Sequence, residues 1–147
     1  MSAARSAAAV TPRRLRRRQL QALVIGGTDV AGYDLRRARL TGLVLPGVDL
    51  SGMDMTRASF RKSNLAGADL RHSILDQVDL SGCDLRAADL SGASLLETDF
   101  AGADLRGANL TSCRQMAMVN LRGARFDHST QWPGGINLIN SGAIRER

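Results

Sequence analysis

The sequence predicts a repeat solenoid whose backbone turns a corner every five residues, and three observations carry that prediction. From position 30 to position 110 every fifth residue is large and apolar, beginning Val30, Leu35, Leu40 and including Met55, Phe60, Phe100 and Leu110. Two places before each of these stands an uncharged and mostly small residue, such as Ala58, Ser63, Ala68, Cys83, Ala88 or Ala103. The residue between the two is Asp ten times and Asn twice, and the residue two places after the large one is Gly nine times. The unit is therefore small, polar, large, variable, often glycine.

A beat of five fits neither regular element. On an α-helix each step of five rotates by about 140°, which smears the apolar positions around the axis. On a flat strand an odd step sends alternate large residues to opposite faces. The backbone must therefore bend once per unit to keep the small and large positions inward. Glycine suits the bend, because positive φ is least costly there.

The unit reads ADL at positions 68–70, 88–90 and 103–105, and ANL at 108–110. In this it resembles the pentapeptide repeat family, whose tandem motif is A-[DN]-L-x-x, over roughly residues 23–126. The resemblance implies an all-β fold, a right-handed quadrilateral β-helix with four units per coil. About five coils at the usual ~4.8 Å strand spacing make a rod near 25 Å long.

Three segments follow. Residues 1–22 form an Arg-rich N-terminal segment, either disordered or a short capping helix; residues 23–130 form the repeat β-helix; residues 131–147 form a C-terminal cap and tail. Thr11-Pro12 reads as an N-cap followed by proline at the first helical position, so that a helix over residues 12–22 directs Leu15 and Leu20 toward the first coil. Its Arg-rich first turns oppose the helix dipole. At the other end Trp132, Ile136, Leu138 and Ile139 supply a cap, with homodimer formation through the same apolar residues as the competing reading.

The formal charge is +6, yet it is unevenly spread. Residues 1–22 carry six Arg and no acid, whereas residues 23–130 carry twelve Arg or Lys against thirteen Asp or Glu. The basicity belongs to the front end. Arg13, Arg14, Arg16, Arg17 and Arg18 make that end a candidate docking element, but with no aromatic to stack bases its expected contact with nucleic acid is weak and nonspecific. The same Arg-, Ser- and Ala-rich start also resembles an organelle transit peptide in composition. Cys83 and Cys113 match neither a disulfide framework nor a metal pair, which fits a reducing, cytoplasmic setting. No run of about 18 apolar residues is present, so no membrane span is expected.

With twenty residues per coil, Asp29, Asp49, Asp69 and Asp89 stack in one acidic column, the one feature that imitates a line of phosphates. The plainer reading is that Asp or Asn before the large residue accepts backbone hydrogen bonds at the corner. The next two faces are divided along the rod. Arg36, Arg37, Arg39, Arg57, Arg61 and Lys62 crowd the N-terminal half, while Asp76, Asp79, Glu97 and Asp99 hold the later half.

Catalytic chemistry is thin. His72 and His128 stand alone, Cys83 occupies an inward small position, and Gly26-Gly27 lacks the spacing and lysine of a phosphate loop. The expectation is a non-enzymatic protein-interaction solenoid with no cofactor and no metal, its protein partner unidentified. The resemblance supplies an alternative, since members of the family regulate or protect DNA gyrase and topoisomerase IV as DNA mimics and confer quinolone resistance. That reading makes a type II topoisomerase the partner and rests on the Asp29, Asp49, Asp69, Asp89 column, while the basic first coils oppose it.

The beat slips once, since Leu110 and Leu121 are eleven apart where two units give ten. Placing Gln115 at the large position, or Arg114 at the small one, buries a polar group on the axis. The expected solution keeps Cys113 and Met116 inside and ejects Arg114 and Gln115 as a bulge, which makes Arg114 an exposed candidate contact.

Overall fold

The structure is a computed structural model that describes residues 13–147, so the Thr11-Pro12 cap lies outside the described residues. Its architecture is a repeat β-solenoid. Parallel bridges join residues twenty apart in four columns, as in Arg39 with Ser59, Val44 with Asn64, Asp49 with Asp69 and Asp54 with Ile74. The N–H of Asp69 donates to Val48 O at 2.9 Å in one neighbouring coil, and its carbonyl accepts from Leu50 N at 2.8 Å. A corner every five residues leaves room for little more than one bridge per side, which is why the coils are joined by single bridges rather than long strands.

The corners share one conformation. Every fifth residue from position 37 to position 112 has φ between 53° and 71°, and half of these residues are not glycine. In every unit from Tyr33 to Cys113 except that of Leu43, whose N–H goes to Ser63 Oγ, the N–H of the small residue returns to the carbonyl of the preceding large one, as Ala68 N does to Leu65 O at 3.0 Å. Positive φ at the third residue of such a turn is the requirement of type II. The polar residue supports the next corner. Every Asp or Asn at that position from 29 to 109 accepts, through Oδ1, the N–H two residues on.

The axis is filled by the large residues, and Leu35, Leu75, Leu85, Leu90, Phe100 and Leu105 are wholly shielded from solvent. Polar residues at the small position stay satisfied. Ser63 Oγ donates to Leu40 O at 3.2 Å, Cys83 Sγ to Phe60 O at 3.0 Å and Thr98 Oγ1 to Leu75 O at 2.9 Å. Each reaches the neighbouring coil, so these three donors are satisfied, whereas Trp132 Nε1 is buried without a partner.

The ladder begins earlier than the repeat reading placed it. Strand β1 (Arg13–Arg14) runs parallel to β2 (Tyr33–Asp34), and Leu15 is buried twenty residues before Leu35. Helix α1 (Arg17–Ile25) follows and buries Leu20, with Arg16 as its N-cap. Arg16 N donates to Gln19 Oε1 at 3.0 Å, the return contact of a capping box. Gln21 then behaves as a stand-in peptide group: its Oε1 accepts Val44 N at 3.0 Å and its Nε2 donates to Val44 O at 2.7 Å. That covers the open edge of the column beginning at Val44.

The slip is solved differently from the expected bulge. Arg114 stays in the ladder opposite Ser94, its N–H donating to Ala93 O at 2.9 Å and its carbonyl accepting from Leu95 N at 3.1 Å. Only its side chain is exposed, which corrects the bulge at Arg114. The extra residue is absorbed next, by Gln115 at φ 62° and a 3-10 turn at Met116–Met118. Two backbone hydrogen bonds are kept that ejecting Arg114 would forfeit. Cys113 and Met116 pack half-buried against the core.

A second slip follows. Asn109 bridges Gln131, Thr130 is buried where the repeat places a small residue, and Trp132 stands six rather than five after Phe126. Strand β3 (Arg125–Phe126) pairs in parallel with β4 (Ile144–Arg145), so the C-terminal tail rejoins the ladder. Trp132 meets Phe126 edge-on at 5.6 Å, and Ile136 and Leu138 pack partly buried against the core. Ile139, expected in the cap, is instead 86% exposed. Among the described residues no helix is long and apolar enough to cross a membrane.

Candidate partner-binding faces

The acidic column exists, but its carboxylates are committed to the turns. Asp49, Asp69 and Asp89 bridge in succession and continue to Asn109 and Gln131. Asp29 accepts Ala31 N at 2.8 Å, Asp49 accepts Ser51 N at 2.9 Å and Ser51 Oγ at 2.7 Å, and Asp89 accepts Ser91 N at 2.9 Å. Asp69 is neutralised outright, with Arg71 Nε at 2.9 Å from Oδ1 and Nη2 at 2.6 Å from Oδ2.

The Asp69–Arg71 fork is one of four. Asp34–Arg36, Asp84–Arg86 and Asp104–Arg106 repeat it, each from an Asp-Leu-Arg triplet that places acid and guanidinium side by side on one face. The planar guanidinium matches the carboxylate with two parallel bonds. In each, the Arg hydrogen bond holds the Asp carboxyl below its usual range. Much of the acid on this rod is thus balanced within its own chain. Asp104 also takes Arg125 Nη2 at 2.8 Å, and Arg125 lies 3.6 Å from Glu146, which ties β4 to the last coils.

The structure splits the basic half into two grooves. Arg14, Arg36, Arg37 and Arg57 line one of about 560 Å³ together with Asp54 and Asp76. On its rim Arg57 Nε donates to Gln77 Oε1 at 2.6 Å, and Gln77 Nε2 donates to Glu97 Oε2 at 2.7 Å. Arg61 and Lys62 open instead onto a groove of about 370 Å³ that also holds Asp79 and Asp99. Arg13, Arg16, Arg17 and Arg18 are exposed at the N-terminal end. Of these, Arg17 Nη2 donates to Gly42 O at 2.8 Å and helps seat α1, while the neighbouring Arg14 Nε lies 3.9 Å from Asp34.

The thiols are quiet. Burial pushes the Cys83 thiol up to about 12 and that of Cys113 to about 11, and Cys113 Sγ donates to Leu90 O at 3.1 Å. A nucleophile needs the opposite shift.

The family model for pentapeptide repeats matches in eight copies, over residues 34–71, 63–100, 79–114 and 95–130. The chain belongs to the pentapeptide repeat family. Among solved structures it is similar to a pentapeptide repeat protein from the Arabidopsis thaliana thylakoid lumen, at 30% identity and TM-score 0.62. That match covers 65% of this chain and 66% of the other, so it spans just under two thirds of that protein. A pentapeptide repeat protein from Nostoc matches at 31% identity with TM-score 0.34, covering 92% of this chain and 99% of that one. QnrB1, a plasmid-mediated fluoroquinolone resistance protein, matches at 18% identity with TM-score 0.31 over 78% of this chain and 65% of that one. No curated protein sequence matches.

Two polar residues that shape the outside of the solenoid, Gln77 and Gln21, are not among the residues the sequence singles out. Gln77 stands twenty after Arg57 and twenty before Glu97, so its place between them was legible once the coil length was known. Gln21 carried no such signal, because it acts from a helix outside the repeat.

Proposed function

We propose that this pentapeptide repeat protein is a non-enzymatic interaction rod that docks another protein on its flat outer faces. The fold that goes with this reading is a right-handed, four-sided β-helix of about five coils, with residues 1–22 and 131–147 flanking it. The observation that carries the proposal is the division of charge outside the four Asp–Arg forks. Arg37, Arg39, Arg61 and Lys62 are exposed over the first coils, while Asp79, Glu97 and Asp99 serve the later ones. A surface polarised in this way selects partners by electrostatic fit. The two free cysteines support a cytoplasmic workplace.

The test is a crosslinking pulldown from native lysate with the full chain and with the paired substitution Arg61→Glu, Lys62→Glu. Loss of the captured partner from the variant supports the reading, and an unchanged partner set sinks it. Deleting residues 1–12 in parallel reports whether the extreme N-terminus adds to docking while leaving β1 and α1 in place.

One observation favours a type II topoisomerase as that partner: Asp49, Asp69 and Asp89 remain in register on consecutive coils. Arg71 works against it by neutralising the middle carboxylate. A gyrase supercoiling assay with titrated protein decides. Absence of both inhibition and protection from a quinolone at micromolar protein removes this partner from the reading.

A further inference from the structure

We propose that two copies of this chain pair side by side and antiparallel through the face that carries Arg39, Ser59, Asp79 and Asp99. These four residues form one bridged column, basic at one end and acidic at the other. Among the described residues Arg39, Lys62, Asp79, Glu97 and Asp99 enter no ion pair. Although Asp79, Asp99 and Glu97 accept neutral donors from Ser81, Ala101, Asn120 and Gln77, their charges are not neutralised within the chain.

The pattern is its own complement. At ~4.8 Å per coil, Arg39 and Asp99 stand about 14 Å apart along the rod. A two-fold axis lying in the interface, perpendicular to the rod and level with the midpoint between Ser59 and Asp79, lays Arg39 on Asp99 of the second copy. The same operation lays Asp99 on the second copy's Arg39. Each corner beside the column then meets the same corner of the second copy in reverse order, so that Arg37 faces the second copy's Glu97 and Lys62 faces its Gly82. A parallel arrangement stacks Arg39 on Arg39 and is repelled. Antiparallel pairing closes after two copies, as a two-fold interface must.

Shape agrees with charge. Gly42, Gly82 and Gly102 occupy the corner that follows this column, and an added Cβ at Gly102 meets nothing within 4 Å. The second copy can therefore approach close to the backbone at Gly102, while Arg17 lies against Gly42 and the Lys62 stem against Gly82. An interface that joins exposed bases to half-buried carboxylates at the surface is expected to be weak and salt-sensitive.

The pairing rests on the reading of the outer faces as docking surfaces. Its test reads mass, however, so a monomer overturns the pairing while leaving the capture of another protein to its own experiment. Sedimentation equilibrium of the full chain is compared at about 50 mM and about 500 mM NaCl, between which the screening length falls from about 14 Å to about 4 Å. The expected result is a dimer at low salt that dissociates at high salt.

Arg39→Asp and Asp99→Arg should each weaken dimerisation by about tenfold or more, and the double variant should restore it. The swap suits the fold, since Arg114 and Arg125 hold the same polar ladder position in later coils. Circular dichroism verifies folding, and Asp99→Asn, which keeps the acceptor for Ala101 N, replaces Asp99→Arg if that variant unfolds. With Asp99→Asn the expected result is again weaker dimerisation, and unchanged affinity overturns the proposal. A monomer at low salt overturns it too, as does a double variant no tighter than the singles. A dimer indifferent to salt and to both reversals overturns it by placing the contact on exposed Met118, Ile139 and Ile144 at the C-terminal end.

Discussion

The corner residue shows how a solenoid imposes backbone geometry on whatever side chain the sequence supplies. Gly52 has φ 67° and an added Cβ meets nothing within 4 Å, so Gly52→Ala measures the bare cost of a left-handed corner. The expected loss is about 1 kcal/mol by urea unfolding. Ala87, at φ 55°, already bears that cost, and Ala87→Gly should gain about 0.5 kcal/mol once glycine's extra chain entropy is subtracted. Gly142→Ala should lose more than Gly52→Ala, because its Cβ would lie 3.3 Å from Arg122 Cα. A neutral Gly52→Ala together with a destabilising Ala87→Gly would show the corners to be unstrained. The glycines made this corner legible in the sequence. The same conformation at Arg37, Lys62 or Glu97 was not, because there the ladder dictates it and no residue preference announces it.

At the scale of elements, the ends are decided by who satisfies the last row of peptide groups. Gln21 does so for Val44 with one amide, and replacing it by Ala leaves both backbone groups of Val44 without that partner. The expected loss is about 1–2 kcal/mol, softened by water reaching an exposed edge. Amide exchange at Val44 should accelerate while that at Asp69 does not, and equal acceleration at both would mean that the whole fold had loosened rather than its edge. Two ends of the ladder were partly legible. Leu15 lies in phase with Leu35, and its burial follows from the same beat, whereas the strand at Arg13–Arg14 is hidden behind charge. The bulge expected at Arg114 follows from the side chain alone, which has no place inside, and the backbone overrules it. Its N–H and carbonyl hold the ladder, and the chain gives up regularity one residue later, where Gln115 leaves at φ 62°. The slip after Phe126 is not legible in the sequence, because Asp127 gives the segment the look of a turn of ordinary length. Asp127 Oδ1 gathers Ser129 N at 2.9 Å, Ser129 Oγ at 2.6 Å, Thr130 N at 3.2 Å and Gly107 N at 3.2 Å, and so clamps the extra residue in place.

For the whole molecule, the acids that serve the turns and the thiols that fill the axis should bound stability on opposite sides of neutral pH. The Arg forks depress the carboxyls of Asp34, Asp69, Asp84 and Asp104, and the hydrogen bonds on Asp127 bring it to about 2. A depressed folded pKa gives stability that is present above the unfolded value of about 4 and is lost as pH falls through the folded one. The thiols have the opposite sign. Their folded pKa values are raised to about 12 and about 11, so their contribution is present below the unfolded value, near 8.5–9, and is lost as pH rises toward the folded ones. Thermal unfolding should therefore show a plateau between about pH 5 and about pH 8, with a fall on either side. The two falls have different physics. The fork part of the acid limb comes chiefly from charge-assisted hydrogen bonds to exposed Arg side chains, so added salt should weaken it. The thiol limb comes from desolvation, so salt should leave it in place while Cys83→Ala, judged against its own neutral-pH midpoint, should shrink it. An alkaline limb that survives Cys83→Ala and Cys113→Ala unchanged would remove the thiols from the account and assign that limb to the surface bases.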